Sequence, residues 1–86
     1  MWELYFTKQA IQDSKKISDF GLKLKVQKLL DLIKIDPFAY PPKFEILKGR
    51  LKGFVSRRIN DQHRLVYVVD EKNRLIKILK MWTHYE

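Results

Sequence analysis

The sequence predicts an α+β fold, in which two N-terminal helices pack on one face of a mainly antiparallel sheet of four to five strands. The 86-residue chain opens on an alternating apolar segment, and two segments with helical spacing of apolar residues follow it. The second half alternates in short runs that turn residues separate. One strand, two helices and then consecutive strands is an order typical of helices segregated to one face of a sheet.

The N-terminal half supplies the first strand and both helices. In MWELYFT, the apolar residues Trp2, Leu4 and Phe6 alternate as in a half-buried strand. Thr7 then stands where it can cap a helix over KQAIQDSKKIS. After a break near SDFG, a second helix is predicted over LKLKVQKLLDLIKI, ending at Asp36 because the residue before a proline is disfavoured in the α region. The apolar stripe of this helix, interpreted as a core face, consists of Leu22, Val26, Leu29, Leu30 and Ile33.

The C-terminal half is predicted to be a run of strands. Residues Pro37 to Lys52 are expected to be irregular, because prolines and glycines interrupt any period. Two alternating strands follow, GFVSRRI and HRLVYVVD, and the turn EKN leads into a last strand, RLIKILKMWTHYE. Strict alternation would put two sets of last-strand residues on opposite sides, namely Ile76, Ile78, Lys80, Trp82 and His84 against Leu75, Lys77, Leu79, Met81 and Thr83.

The loop NDQ decides which side chains share a face of the predicted hairpin, since a one-residue slip inverts the pattern. A three-residue loop places Arg58 opposite Arg64 and Val55 opposite Tyr67, whereas a two-residue loop would put Arg64 among apolar neighbours. The helix-facing side is then predicted to carry Val55, Ile59, Leu65, Tyr67 and Val69, and the other side Phe54, Ser56, Arg58, Arg64, Val66 and Val68.

Two guanidinium groups directly opposite each other repel by a few tenths of a kcal/mol or more, which indicates an anionic partner. Guanidinium forks match phosphate oxygens through paired hydrogen bonds. The alternative is that each arginine pairs with a nearby acid, such as Asp61, Asp70 or Glu45.

The charge balance favours a polyanionic partner. Lysine and arginine number 18 against 10 acidic residues, a net charge of +8, which favours nucleic acid or a nucleoprotein over an acidic protein or plain solubility. The absence of cysteine excludes disulfides and thiolate metal sites. With neither a signal-peptide pattern nor an apolar run of membrane-spanning length, the chain is expected to be cytoplasmic and not to bind membranes.

One run of residues carries a family resemblance. EILKGRLKGFVSRRINDQHRLVYVV, followed by HYE, resembles the YoeB/Txe toxins of the RelE superfamily, the toxic halves of bacterial type II toxin–antitoxin pairs. The match is dense from Pro37 to Tyr85 and indicates a single RelE/YoeB-like toxin domain over residues 1–86 with the RelE-like microbial RNase fold. The resemblance implies a ribosome-dependent endoribonuclease that cuts mRNA in the A site without a metal or another cofactor.

The resemblance also implies roles for six residues. Glu45 matches the general base that accepts a proton from the ribose 2′-hydroxyl, and Arg64 matches the arginine that stabilises charge on the phosphorane-like transition state. His84 matches the general acid that protonates the leaving 5′-oxygen. Three further positions match groups that grip phosphate or orient the RNA, namely Lys48, Arg58 and Tyr85.

Two positions depart from the family pattern. Ile46 stands where close relatives have proline, which affects the backbone direction of Glu45, and Glu86 extends the chain beyond the usual His-Tyr ending. Judged from the residues alone, a simple ion pair of Glu45 with Lys43 or Lys48 is the favoured interpretation.

The resemblance implies partners as well. They are a YefM/Axe-like antitoxin, whose disordered acidic and apolar segment folds on binding, and the 70S ribosomal A site with its mRNA. A homodimer is also compatible with the resemblance. Two other functions stay open: a non-catalytic toxin of the same superfamily that inhibits a protein target such as gyrase, and a basic RNA- or ribosome-binding module.

Overall fold

The elements follow one another in the predicted order in a computed structural model that describes residues 1–49 and 53–81. Their bounds are β1 (Glu3–Phe6), α1 (Lys8–Asp19), α2 (Lys23–Ile35), β2 (Phe44–Ile46), β3 (Val55–Arg58), β4 (Arg64–Asp70) and β5 (Leu75–Lys80). Both helices pack on one face of the sheet, which confirms the predicted α+β architecture. Neither described helix is long and apolar enough to cross a bilayer.

The sheet has the strand order β1-β5-β4-β3-β2. All neighbouring strands are antiparallel except β1 and β5, which pair in parallel. The first strand therefore lies beside the last one, with Leu4 opposite Ile76 and Phe6 opposite Ile78. Only tertiary packing creates this pairing, because β1 is the first strand of the chain and β5 is the last.

A short strand lies inside the segment that was expected to be irregular, so that expectation is wrong for Phe44–Ile46. Strand β2 pairs with β3, placing Phe44 opposite Arg57 and Glu45 opposite Ser56. Three residues between prolines and glycines are too few to display an alternating pattern, and β3 supplies the hydrogen bonds that hold them extended. Strand β2 is an edge of the sheet.

The predicted hairpin register is confirmed. Arg58 lies opposite Arg64 and Val55 opposite Tyr67, and the Ile59 amide donates to the His63 carbonyl at 2.8 Å. The side chain of Asn60 stabilises the loop, because its Oδ1 accepts from the amides of Gln62 and His63. The odd-numbered loop thus directs both arginines away from the helices.

The predicted alternation of the last strand is wrong at its end. Tyr67 lies opposite Ile78 but Val66 lies opposite Lys80, so Leu79 has no partner of its own on β4. Such a bulge reverses which residues face which side. Met81 consequently lies in the core with Ile78 instead of on the opposite face, and Lys80 is paired with Val66 on the face away from the helices. Residues 82–84, to which the prediction extended, lie outside the described residues.

The core lies between the helices and the sheet. Helix α1 contributes Ala10 and Ile17 and helix α2 contributes Val26, Leu30 and Ile33, at the three- and four-residue spacings of one helical face. Leu22 and Leu29 pack against the same core, so the stripe predicted for α2 is confirmed as a core face. The sheet side of the core is built from Val55, Ile59, Leu65, Tyr67, Ile76 and Ile78.

Two polar side chains of the first helical segment hold the end of β5. Thr7 caps α1 as predicted: its Oγ1 accepts from the Ala10 amide at 3.1 Å, and its hydroxyl donates to the Leu79 carbonyl at 2.9 Å. Asp13 is buried, and its Oδ2 accepts from the Met81 amide at 3.1 Å. These bonds satisfy backbone groups that the bulge removes from the regular ladder.

Thr7→Ala is expected to lower the free energy of unfolding by about 1 to 2 kcal/mol, because one substitution removes both the helix cap and the bond to Leu79. Urea unfolding followed by circular dichroism measures the loss. Thr7→Ser keeps both hydrogen bonds and should retain most of the stability. Equal losses in the two variants would contradict this assignment.

Candidate nucleic-acid cleavage site

A polar pocket of about 380 Å³ opens on the sheet face away from the helices. Its lining, at the end of the sheet formed by β2, β3 and β4, consists of Lys43, Glu45, Ser56, Arg58 and Arg64. Alternation explains the set: Val55 and Arg57 face the helices, so Ser56 and Arg58 between and beside them face the pocket. The pocket therefore exists because the hairpin has the register described above.

The pairing of the strands orders these side chains in two rows. Glu45 lies opposite Ser56, and Arg58 lies opposite Arg64. Lys43 comes two residues before Glu45 and therefore shares its side of β2, in line with Arg58. One carboxylate thus stands beside three cationic side chains, which gives the pocket a formal charge of +2 when the four charges are added.

The cations of the pocket are not neutralised by the part of the chain that the structure describes. Within residues 1–49 and 53–81, Arg58 and Arg64 form no ion pair, so the alternative of pairing with Asp61, Asp70 or Glu45 does not occur there. The Asp70 carboxylate instead accepts hydrogen bonds from the side chain and amide of Asn73, and these lower its pKa. Nor does Glu45 pair with Lys43 or Lys48 within these ranges.

Of the six predicted site residues, the structure brings three together in this pocket: Glu45, Arg58 and Arg64. Lys48 is exposed two residues beyond the end of β2 and is not part of the described lining. His84 and Tyr85 lie outside the described residues. Within those residues, no group of three or more histidine, cysteine or acidic side chains is arranged to hold a metal ion.

Arg57 has a different role from its neighbour Arg58. Its side chain is 1% exposed and lies on the core side of β3, beneath the chain that leads into β2. The guanidinium donates to three carbonyl oxygens of this connecting segment: Pro42 at 2.7 Å, Ala39 at 2.7 Å and Pro37 at 3.3 Å. It also lies 4.8 Å from the centroid of the Phe44 ring.

Tyr67 completes this buried cluster. Its hydroxyl accepts from Arg57 Nε at 2.8 Å and donates to the Pro37 carbonyl at 2.6 Å. Burial raises the pKa of Tyr67, and the hydrogen bond and charge of Arg57 oppose that rise. The tyrosine therefore stays protonated at neutral pH, as its bond to Pro37 requires.

Sequence reasoning assigned Arg57 to neither face of the hairpin, and it did not include Lys43 among the site residues. Strand alternation could have placed Arg57 on the core face, since it lies two residues from each of the core residues Val55 and Ile59. Ser56 was already placed on the face of Arg58 and Arg64, but Lys43 could be assigned to the pocket only once β2 was known to pair with β3.

Comparison with known proteins identifies the family of this chain. The family profile described as "YoeB-like toxin of bacterial type II toxin-antitoxin system" matches residues 6–85. The toxin YoeB of Mycobacterium bovis is 41% identical over 61 residues, which cover 71% of this chain and 69% of that protein. The range matched by the family profile includes every residue that lines the pocket.

Solved structures extend the similarity over nearly the whole chain. The YoeB/ParE toxin from Agrobacterium tumefaciens superposes with a TM-score of 0.87 at 32% identity, covering 96% of this chain and 99% of that one. A heterotetrameric YoeB–YefM toxin–antitoxin complex from Staphylococcus aureus contains a chain that is 38% identical, with a TM-score of 0.81 and 99% coverage of both chains. YoeB of the same organism is also solved as a dimer, at 38% identity, a TM-score of 0.82 and 98% coverage of both. Fold and sequence similarity therefore agree that this chain belongs to the YoeB-like toxins of bacterial type II toxin–antitoxin systems.

Proposed function

We propose that this toxin is a ribosome-dependent endoribonuclease that cleaves mRNA in the A site and thereby stops translation. The observation that carries the proposal is the pocket in which Glu45 stands beside Arg58 and Arg64, which no acid among the described residues neutralises. Cleavage of RNA by its own 2′-hydroxyl requires a proton acceptor, a proton donor and fixed positive charge at the phosphate. The pocket contributes the acceptor and the positive charge.

The chemical step is an in-line displacement at phosphorus. Glu45 accepts the proton of the 2′-hydroxyl while the 2′-oxygen forms a bond to phosphorus, and the bond from phosphorus to the 5′-oxygen breaks. Arg64, with Arg58 opposite, stabilises the negative charge that develops on the non-bridging oxygens. His84 protonates the departing 5′-oxygen, which leaves a 2′,3′-cyclic phosphate and a 5′-hydroxyl. No metal ion takes part in this scheme.

The ribosome supplies what the small pocket lacks. The pocket is open and its described lining holds no aromatic side chain, so it has little surface on which to orient a base. Binding of the codon and of the toxin by ribosomal RNA would fix the attacking hydroxyl and the phosphate in line, an effect that contributes several kcal/mol to catalysis. Lys48 and Tyr85 are proposed to assist by gripping phosphate and stacking on the RNA. The net charge of +8 favours approach to this polyanionic site.

Mapping of mRNA 5′ ends after a short induction tests the proposal. Wild-type toxin should arrest growth and create new ends at a constant position relative to the codon frame, while free mRNA should be cut far more slowly. His84→Ala should fold normally and lose the new ends, because no acid protonates the leaving oxygen. Growth arrest without new ends, together with inhibited gyrase supercoiling, would instead indicate a protein-directed toxin. Ribosome binding without arrest or cleavage would indicate a binding module.

A YefM-like antitoxin is the proposed regulator of this activity. The Staphylococcus aureus relative forms a complex with YefM and is also solved as a dimer, which supports both an antitoxin partner and a homodimer for this chain. An acidic antitoxin segment would complement the charge of +8. Acting on ribosomes, the toxin would work in the cytoplasm.

A further inference from the structure

A row of three cationic side chains crosses the sheet at the pocket. Arg58 and Arg64 are direct partners on β3 and β4, and Lys43 continues the line immediately before the edge strand β2. Because neighbouring strands lie about 4.8 Å apart, the row extends about 10 Å at the level of the backbone. Stacked nucleotides of one strand advance only ~3.4 Å each along the helix axis, so this row is longer than a single nucleotide.

The three cations are not equivalent. Arg58 and Arg64 face each other directly, which suits the gripping of one phosphate by two guanidinium forks. Lys43 is exposed, lies at the outer end of the row and forms no ion pair within residues 1–49 and 53–81. Its ammonium is a compact point charge on a flexible side chain, which suits binding of a phosphate that does not itself react.

We infer that Lys43 forms a second phosphate subsite, which binds the backbone phosphate adjacent to the one that reacts. The substrate strand then runs across β4, β3 and β2 and leaves the pocket over the β2 edge. The inference rests on the proposed function, because it requires that RNA occupy the pocket. It adds a direction for the strand and a residue that the catalytic scheme does not use.

The first experiment measures cleavage of a short synthetic mRNA on programmed ribosomes. Lys43→Ala should raise KM about tenfold to a hundredfold, as the loss of one charged hydrogen bond predicts, and leave kcat within about twofold. Lys43→Arg should retain most of the affinity. The matched control is Lys72→Ala, since Lys72 is also exposed but lies in the turn after β4. Unchanged KM in Lys43→Ala would overturn the inference.

The second experiment identifies the phosphate. Two mRNAs each carry one neutral methylphosphonate linkage, immediately 5′ or immediately 3′ of the mapped cleavage site. One of the two modified mRNAs should have a higher KM than unmodified mRNA with the wild-type toxin. With Lys43→Ala, that modified mRNA and unmodified mRNA should have the same KM. If the Lys43→Ala penalty persists on both modified mRNAs, the lysine contacts ribosomal RNA or acts through the fold, and the subsite is disproved. Failure of the wild-type toxin to cleave any mRNA would reject the proposed function and the subsite together, whereas cleavage with no Lys43 effect rejects the subsite alone.

Discussion

Arg64→Ala should lower the rate of ribosome-dependent mRNA cleavage by about 10²- to 10³-fold, the usual cost of removing one donor aimed at developing negative charge. The protein should nevertheless stay folded. Arg64 faces Arg58 across the hairpin, and removing one of two opposed like charges relieves a few tenths of a kcal/mol of repulsion. The free energy of unfolding is therefore expected to change by no more than about 0.5 kcal/mol, in either direction.

Single-turnover cleavage on programmed ribosomes and urea unfolding together measure this prediction. Arg64→Lys keeps the charge but loses the bidentate fork, so its rate should fall between those of the wild type and Arg64→Ala. Arg58→Ala should slow cleavage less if Arg58 supports the phosphate and Arg64 stabilises the transition state. Loss of activity accompanied by a stability loss of several kcal/mol would show that Arg64 is structural. Full activity in Arg64→Ala would reject the proposed mechanism.

Arg57→Met should lower the free energy of unfolding by about 2 to 4 kcal/mol, although the same substitution at the neighbouring Arg58 should change it little. Methionine fills much of the space but donates no hydrogen bond, so the carbonyls of Ala39 and Pro42 lose the donors that the side chain provides. Small domains are stable by only about 5 to 15 kcal/mol, so this loss would be a large part of the total. Its cause is local: the segment that leads into Lys43 and Glu45 would lose its attachment to the sheet.

The matched control for this prediction is Arg58→Met, which changes the same residue type at the next position of the same strand. Arg58 is exposed on the pocket side, so its substitution should alter stability by about 0.5 kcal/mol or less. Urea unfolding of the two variants measures the difference, and hydrogen exchange of the Ala39 amide follows the connecting segment. Similar losses in both variants would falsify the assignment of Arg57 as the buried anchor.

Arg57 and Arg58 show what the local sequence pattern can predict and what it cannot. The parity of the NDQ loop and the alternation of GFVSRRI and HRLVYVV were sufficient to pair Arg58 with Arg64 and to put both on the face away from the helices. The same alternation places Arg57 on the core face. A buried cation is unfavourable without hydrogen-bond acceptors, and the local sequence does not show the carbonyl groups that accept from it. Those carbonyls belong to a segment 15 to 20 residues earlier in the chain, in which no periodic pattern exists.

The placement of Glu45 has the same dependence. Its assignment as a candidate base came from the family resemblance, whereas local grounds favoured an ion pair with a neighbouring lysine. Its position beside Ser56, Arg58 and Arg64 depends on the pairing of a three-residue edge strand with β3. The register shift at Leu79 likewise depends on its surroundings, since Thr7 binds the Leu79 carbonyl and Asp13 binds the Met81 amide.

By itself, the sequence determined the two helices and their buried faces, the register of the arginine hairpin, the excess of positive charge and the family. Each of these depends on residues close together in the chain or on motifs that can be compared directly. Only the tertiary structure decided that β1 pairs in parallel with β5, that β2 brings Glu45 and Lys43 to the arginines, and that Arg57 is an anchor and not a ligand-binding group. The physical reason is that strand pairing and the satisfaction of buried polar groups depend on partners that folding brings together from distant parts of the chain.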